Sequence, residues 1–222
     1  AFSGCRNLKS ISLPDSVVSI GDSAFTGTDI PQEEPFFIFN GSLVKCRNDV
    51  TDAVVPDNVT EIIGGAFESC TELRSVNLPS SIKTIDDYAF YGCTNLNSLN
   101  FSTSVTRIGI YAFSECTSIV SIIIPNSIMS LGWGTFHGCT KLKSVTLGNN
   151  VKYINSCAFA ECKNLETFTC PTKSVPDTDA DTFKDSYIGY STLIVPEESM
   201  EDYKFTSPWK EFGTIKSIES SD

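Results

Sequence analysis

Apolar positions along this chain hold neither a helical nor a strand period for long; they recur as a block. From Phe67 they run Cys70, Leu73, Val76, Leu78, Ile82, Ile85 and then Phe90. The same ladder reads Phe90, Cys93, Leu96, Leu99, Phe101, Val105, Ile108, and it repeats from Phe113 and from Phe136. Phe67, Phe90, Phe113, Phe136 and Phe159 are spaced by 23 residues, as are Phe2 and Phe25. Steps of two, such as Ile11 to Leu13, predict a short strand whose alternate residues face inward. Steps of three around each Phe-x-x-Cys predict one tight helical turn. Pro14, Pro56, Pro79 and Pro125 follow the strands, where a missing amide does no harm.

One such block cannot bury its apolar arc alone, but stacked blocks can, with equivalent residues about 4.8 Å apart in a parallel sheet. The period and the Leu-x-x-Leu-x-Leu-like cores at Leu8-x-x-Ile11-x-Leu13 and Leu73-x-x-Val76-x-Leu78 fall within the leucine-rich repeat range. The expected fold is a repeat solenoid: a curved, right-handed leucine-rich repeat coil with a parallel concave β-sheet of short strands. Residues 1–222 read as a single domain in four stretches. Residues 1–30 are N-terminal repeats opening in mid-unit, and 31–56 form an irregular unit with a hairpin at Asn40-Gly41. Residues 57–171 are regular repeats, and 172–222 are a degenerate last coil and C-terminal cap. In the cap, Leu193-Ile194-Val195-Pro196 reads as the last strand and 197–205 as a short helix with an acidic start. Trp209, Phe212, Ile215 and Ile218 follow at helix-like or turn spacing. Because Ala1-Phe2 opens within a unit, the chain is expected to have continued upstream. It reads as a monomer whose uncapped N-terminal edge offers a route to association.

The string Ala66-Phe67-Glu-Ser-Cys70 through Pro79-Ser80-Ser81-Ile82 resembles the BspA-like leucine-rich repeat. Phe39-Asn40-Gly41-Ser42-Leu43-Val44-Lys45 resembles that family's opening unit, and Thr192-Leu193-Ile194-Val195-Pro196 with Tyr203 and Trp209-Lys210-x-Phe212 resembles its closing segment. The resemblance covers nearly the whole chain. It implies a secreted or surface-attached bacterial or protist protein, associated with adhesion to host proteins or other cells. No catalytic residues come with it.

Charge narrows the partners. Sixteen basic against 27 acidic residues give −11, which disfavours nucleic acid and anionic membrane surfaces. The apolar run at 122–124 is far short of the roughly 18 residues a membrane span needs. No signal peptide or lipidation motif is present. Of nine cysteines, Cys5, Cys70, Cys93, Cys116, Cys139 and Cys162 stand three residues after a repeat phenylalanine, whereas Cys46, Cys157 and Cys170 do not. The six in register are expected to be a buried stack of free thiols, since parallel side chains fit disulfide torsions poorly; a Cys157–Cys162 bridge stays open. No Cys-x-x-Cys occurs and His137 is the sole histidine, expected at the surface, so no metal or cofactor is expected. Asp177, Asp179 and Asp181 start like a calcium loop, but Thr182 and Ile188 stand where glycine and glutamate are needed. The Glu33-Glu34 and Glu197-Glu198 pairs read as an acidic loop and a helix start. No Gly-x-Ser-x-Gly, phosphate-binding loop or His-Glu-x-x-His occurs, and the chain does not read as an enzyme. Asn40, Asn58 and Asn100 sit in N-glycosylation sequons, which matter only in a eukaryotic secretory source.

The concave face is the remaining candidate. With Ile11 and Leu13 pointing inward, Ser10 and Ser12 point out. Equivalent pairs are Ser75 and Asn77, Ser98 and Asn100, Ser121 and Ile123, Ser144 and Thr146, Thr167 and Thr169. Lys9, Arg74 and Lys143 flank this ribbon of small hydroxyl and amide groups, and turn residues such as Glu68 and Tyr91 read as bystanders. The expected function is a non-catalytic extracellular or cell-surface module binding a host or microbial protein or glycan. The alternative is a structural spacer that carries another domain away from the surface.

Overall fold

Stacked coils give each short apolar strand the neighbour it needs, and the computed structural model, which describes residues 1–218, is a parallel solenoid of about eight turns. A hairpin of β1 (Phe36–Phe39) and β2 (Ser42–Cys46) turns at Asn40 and Gly41, whose φ of 48° and 77° are those of a type I′ hairpin. The chain then alternates between two faces. It passes through β3 (Asp52–Val54) and β4 (Glu61–Ile62), β5 (Ser75–Asn77) and β6 (Thr84–Ile85), then β7 (Ser98–Asn100) and β8 (Arg107–Ile108). It continues through β9 (Ser121–Ile123) and β10 (Ser130–Leu131), β11 (Ser144–Thr146) and β12 (Tyr153–Ile154), then β13 (Thr167–Thr169) and β14 (Asp177–Thr178). Last come β15 (Thr192–Val195), the helix α1 (Met200–Phe205) and β16 (Thr214–Ser217).

The sequence predicts one strand per coil; the regular coils carry two. The second, at Ile62, Ile85, Ile108, Leu131 and Ile154, has a single inward residue, so no alternation announces it. Partners lie one period apart, Ser75 opposite Ser98 and Ser144 opposite Thr167. On the first face the order is β3-β5-β7 and then β9-β11-β13-β15-β16; on the second it is β1-β2-β4-β6-β8 and then β10-β12-β14. Both sheets break between the same two coils. There Leu99 and Phe101 are half-buried, unlike their equivalents Val76, Leu78, Ile122 and Ile124. Phe101, bulkier than Leu78 or Ile124, turns edge-on to Phe113 at 5.4 Å.

The steps of three are not a helix. They are successive turns, with Cys70 N bonded to the Phe67 carbonyl and Leu73 N to the Cys70 carbonyl at 3.0 and 3.2 Å. Left-handed residues two before and two after each phenylalanine stop a helix from forming: Tyr88 and Gly92 at φ 58° and 71°, Tyr111 and Glu115 at 52° and 59°. Inside this arc Phe67, Phe90, Phe113, Phe136 and Phe159 stack at 4.5, 5.0, 5.5 and 5.5 Å between ring centres.

Three further expectations give way. Residues 1–34 contain no strand, so Ser10 and Ser12 are exposed on irregular backbone and Ile11 and Leu13 are only half-buried. Their ladder partner one period on would be Glu33-Glu34-Pro35, and the two prolines of 31–35 cannot donate to a ladder. Cys5, in this loosely covered coil, is exposed rather than stacked. Ile215 lies in β16, parallel to β15, not in a turn. The cap otherwise follows the sequence: a 3-10 turn at Glu197–Ser199 leads into α1, and Tyr203, Trp209 and Phe212 are buried. Trp209 and Phe212 meet Phe183 at 5.5 and 5.3 Å. Positions 219–222 of the expected cap lie outside the described residues.

Candidate functional site

Strand alternation builds the ribbon. With Val76, Ile122, Val145 and Phe168 buried, the residues on either side face solvent. One row is Asp52, Ser75 and Ser98, continued past the break by Ser121, Ser144, Thr167, Thr192 and Thr214. The other is Val54, Asn77 and Asn100, then Ile123, Thr146, Thr169, Ile194 and Lys216. Ser75, Asn77, Ser98 and Asn100 therefore come together in one block, and Ser121, Ser144, Thr146, Thr167 and Thr169 in another. Ser10 and Ser12 join neither. Ser10 instead lines a groove of about 450 Å³ with Ile11, Ile30, Phe36 and Phe37.

The ribbon carries little fixed charge. Arg74 is exposed at its border, and Lys143 is paired with Glu166 at 2.7 Å. Asp52 accepts hydrogen bonds from the hydroxyls of Ser75 and Thr51, which hold its carboxyl below the usual range. Val54 and Ile123 stand out as apolar, 67% and 71% exposed, and Ile194 in the same row is apolar and half-buried. Such a surface offers hydroxyl and amide hydrogen bonds and the apolar contacts of Val54, Ile123 and Ile194.

The other candidates resolve as follows. Among the described residues no group of three or more His, Cys, Asp or Glu side chains is placed to hold a metal ion. Asp177 and Asp179 are exposed; Asp177 opens β14, and the turn that follows is held by the Asp179 amide, which donates to the buried Thr182 hydroxyl at 3.1 Å. Glu198 lies 3.4 Å from Lys173; its own backbone amide, and then Lys173, lower its carboxyl pKa. His137 is half-buried on the turn arc, 3.5 Å from Glu115 and 3.7 Å from Glu161. All nine cysteines are free thiols. Cys157 takes a left-handed turn position, φ 59°, while Cys162 points into the core. Burial pushes the thiols of Cys116 and Cys139 well up and that of Cys162 up to about 12. The Cys70 sulfur, with burial, does the same to Cys46.

Two features were not read from the sequence. Asp52, Thr192 and Thr214 lengthen the ribbon; Asp52 is one period before Ser75, whereas Thr192 and Thr214 follow at 25 and 22 residues, off the period. A cluster of Tyr88, Tyr91, Tyr111 and Trp133 stands on the turn arc. Its signal was Tyr88 and Tyr111, one period apart at a position outside the apolar ladder.

The family profile described as the BspA type leucine-rich repeat region matches the chain in six copies, over residues 1–34, 37–166 and 83–208. No curated protein sequence matches significantly. The crystal structure of the pneumococcal vaccine antigen PcpA superposes with a TM-score of 0.76 at 21% identity, covering 97% of this chain and 57% of that one. The leucine-rich repeat protein TpLRR of T. pallidum superposes with a TM-score of 0.58 at 25% identity, covering 79% and 72%. The chain thus spans little more than half the length of the pneumococcal structure it matches.

Proposed function

The chain belongs to the BspA-type leucine-rich repeat family, and on that premise we propose that it is a non-catalytic binding or adhesion module, working outside the cell or on its surface. Leucine-rich repeat domains are in general protein-binding modules, and no helix among the described residues is long and apolar enough to cross a membrane. The observation that carries the reading is the ribbon. Outward side chains from successive strands stand in register as a repeated array of short hydroxyl and amide groups, the kind of extended face through which solenoids bind. The partner is a host or microbial protein or glycan. The extracellular location rests on the family.

The test is a panel of matrix proteins and a glycan array probed with the chain and with variants carrying Ser75→Arg, Asn77→Arg, Ser98→Arg or Asn100→Arg. These side chains face away from the core, so each change should cost less than about 0.5 kcal/mol of stability. Saturable binding lost in the variants supports the ribbon. Binding unaffected by all four moves the site elsewhere, and a chain that binds nothing in either panel is better read as a spacer.

A further inference from the structure

Tyr88 and Tyr111 occupy the position two before the core phenylalanine in consecutive coils, and their rings meet at 5.2 Å. Tyr91 meets Tyr88 edge-on at 5.9 Å, and Trp133 meets Tyr111 edge-on at 4.6 Å. The cluster is open to solvent: Tyr88 is 40%, Ile110 40% and Trp133 42% exposed.

The fold does not ask for these rings. The equivalents of Tyr88 and Tyr111 in the flanking coils are Gly65 and Gly134, and all four backbones are left-handed, with φ of 73°, 58°, 52° and 58° along the stack. Glycine takes that conformation freely, and a bulky side chain takes it only against its own sterics. Two tyrosines are thus held where glycine would serve the turn better; the Tyr88 side chain is exposed, and the half-buried Tyr111 ring lies over the Gly134 turn of the next coil. An exposed aromatic cluster with a polar rim marks an interaction surface, and Tyr and Trp are the side chains that dominate such interfaces.

Charge selects the partner. Asp86 and Asp87 directly precede Tyr88, Glu68 reaches the Gly65 turn one coil back, and His137, 6.3 Å from Tyr111, stands between Glu115 and Glu161; the cations beside these carboxylates are Arg107 and Lys163. Arg107 is already paired with Asp86 and Asp87, and Lys163 stands 3.7 Å from Glu161. The rim is therefore net acidic, on a chain of net charge −11. Aromatic faces attract cations, a guanidinium more often than an ammonium. A neutral sugar would stack on the rings and donate hydroxyls to the carboxylates but would leave the net negative charge of the rim uncompensated, which a cation offsets, and a phosphate-rich surface would be repelled.

We propose that the cluster of Tyr88, Tyr91, Tyr111 and Trp133, with its carboxylate rim, docks an arginine- or lysine-bearing segment of a partner protein. This surface lies on the turn arc, away from the strand ribbon, so it constitutes a second site rather than an extension of the first.

The chain supplies its own reporter: of its two tryptophans, Trp209 is 0% and Trp133 42% exposed. A decapeptide of alternating Arg and Gly, titrated at low ionic strength, should shift Trp133 emission saturably, while the Glu-Gly counterpart should not. Tyr88→Gly should weaken the peptide at least tenfold without lowering the melting temperature, because glycine is what the flanking coils carry. Glu115→Gln should weaken it several-fold and flatten its salt dependence. The proposal fails if no saturable shift occurs, or if Tyr88→Gly and Glu115→Gln both fold and bind like the parent chain. It also fails if neutral oligosaccharides shift the emission and the basic peptide does not.

Discussion

The thiol of Cys116 donates to the carbonyl of Phe90 in the preceding coil at 3.2 Å, and the contact recurs along the stack. Cys93 reaches Phe67 at 3.1 Å, Cys139 reaches Phe113 at 3.3 Å, and Cys162 reaches Phe136 at 3.4 Å. In the last coil Ser186 stands at the same position: its hydroxyl donates to the Phe159 carbonyl at 2.5 Å and accepts from the Cys162 amide at 3.0 Å. The position calls for a small side chain with a hydrogen to donate, not for a disulfide partner.

Cys116→Ser should therefore be mild, within about 1 kcal/mol of the parent, since the hydroxyl can make the bond that Ser186 makes. Cys116→Val removes the donor and adds volume to a fully buried site, and should cost about 1–3 kcal/mol. Urea unfolding of the two variants checks the order. A valine variant as stable as the serine variant would remove the hydrogen bond from the explanation.

Native thiol labelling should be graded by burial. Cys5 is exposed and Cys157 half-buried, and the other seven are buried. One thiol is expected to react rapidly, one more slowly, and the rest only on unfolding. Fast labelling of Cys93 or Cys139 in folded protein would contradict the stacked core.

Alkali should destabilise the chain. Burial raises Cys162 from 9.0 to about 12 and pushes Cys116 and Cys139 up as well. The folded state keeps these thiols neutral, whereas the unfolded chain ionises them from about pH 9 upward. Stability is thus full below pH 9 and falls as pH rises toward 12, by up to about 1.4 kcal/mol per pH unit for each such thiol. Urea midpoints at pH 7, 9 and 10.5 should decline at the highest pH, with a shallower decline in Cys162→Ser. A flat profile would count against buried neutral thiols.

The cap should be expensive to damage. Trp209 is fully buried, its indole donates to the Pro176 carbonyl at 3.3 Å, and its ring packs on Phe183 and Tyr203. Trp209→Ala should cost about 3–5 kcal/mol. Truncation before Pro196 would also strip β16 from β15 and leave an open edge that promotes association. Melting and light scattering test the two effects separately.

Period and apolar ladder were enough to place Phe67 through Phe159, the Asn40-Gly41 hairpin, the ribbon from Ser75 to Thr169 and the buried Trp209. What escaped has physical reasons. The two-residue strands around Ile62 and Ile85 bury one side chain each and leave no alternation to detect. Left-handed positions are held by Ser69, Tyr88 and Glu115 as well as by glycine, so composition does not mark them. Ser10 and Ser12 match the ribbon in spacing, but a strand needs a partner, and 31–35 cannot supply one. The Tyr88–Tyr111 pair was visible as a repeat, yet only the turn geometry shows that the two rings meet outside the core with Tyr88 exposed.

The paired interruption of both sheets gives the stack an unequal set of nearest-neighbour couplings. Between β7 and β9, and again between β8 and β10, the described residues form no ladder, and the two coils stay joined through the turn arc, where Phe90 N bonds the Ala112 carbonyl at 2.8 Å and Gly92 N bonds Ser114 at 2.9 Å. In a quasi-one-dimensional chain of units, stability is a sum of unit terms and interface terms, and cooperativity parts at the weakest interface. Native-state hydrogen exchange should therefore resolve two foldons. The C-terminal one, sealed by Trp209, Phe212 and β16, should retain its amide protons longest. The N-terminal one, whose first coil has no strand, should exchange first, with the boundary of protection between Asn100 and Ser121.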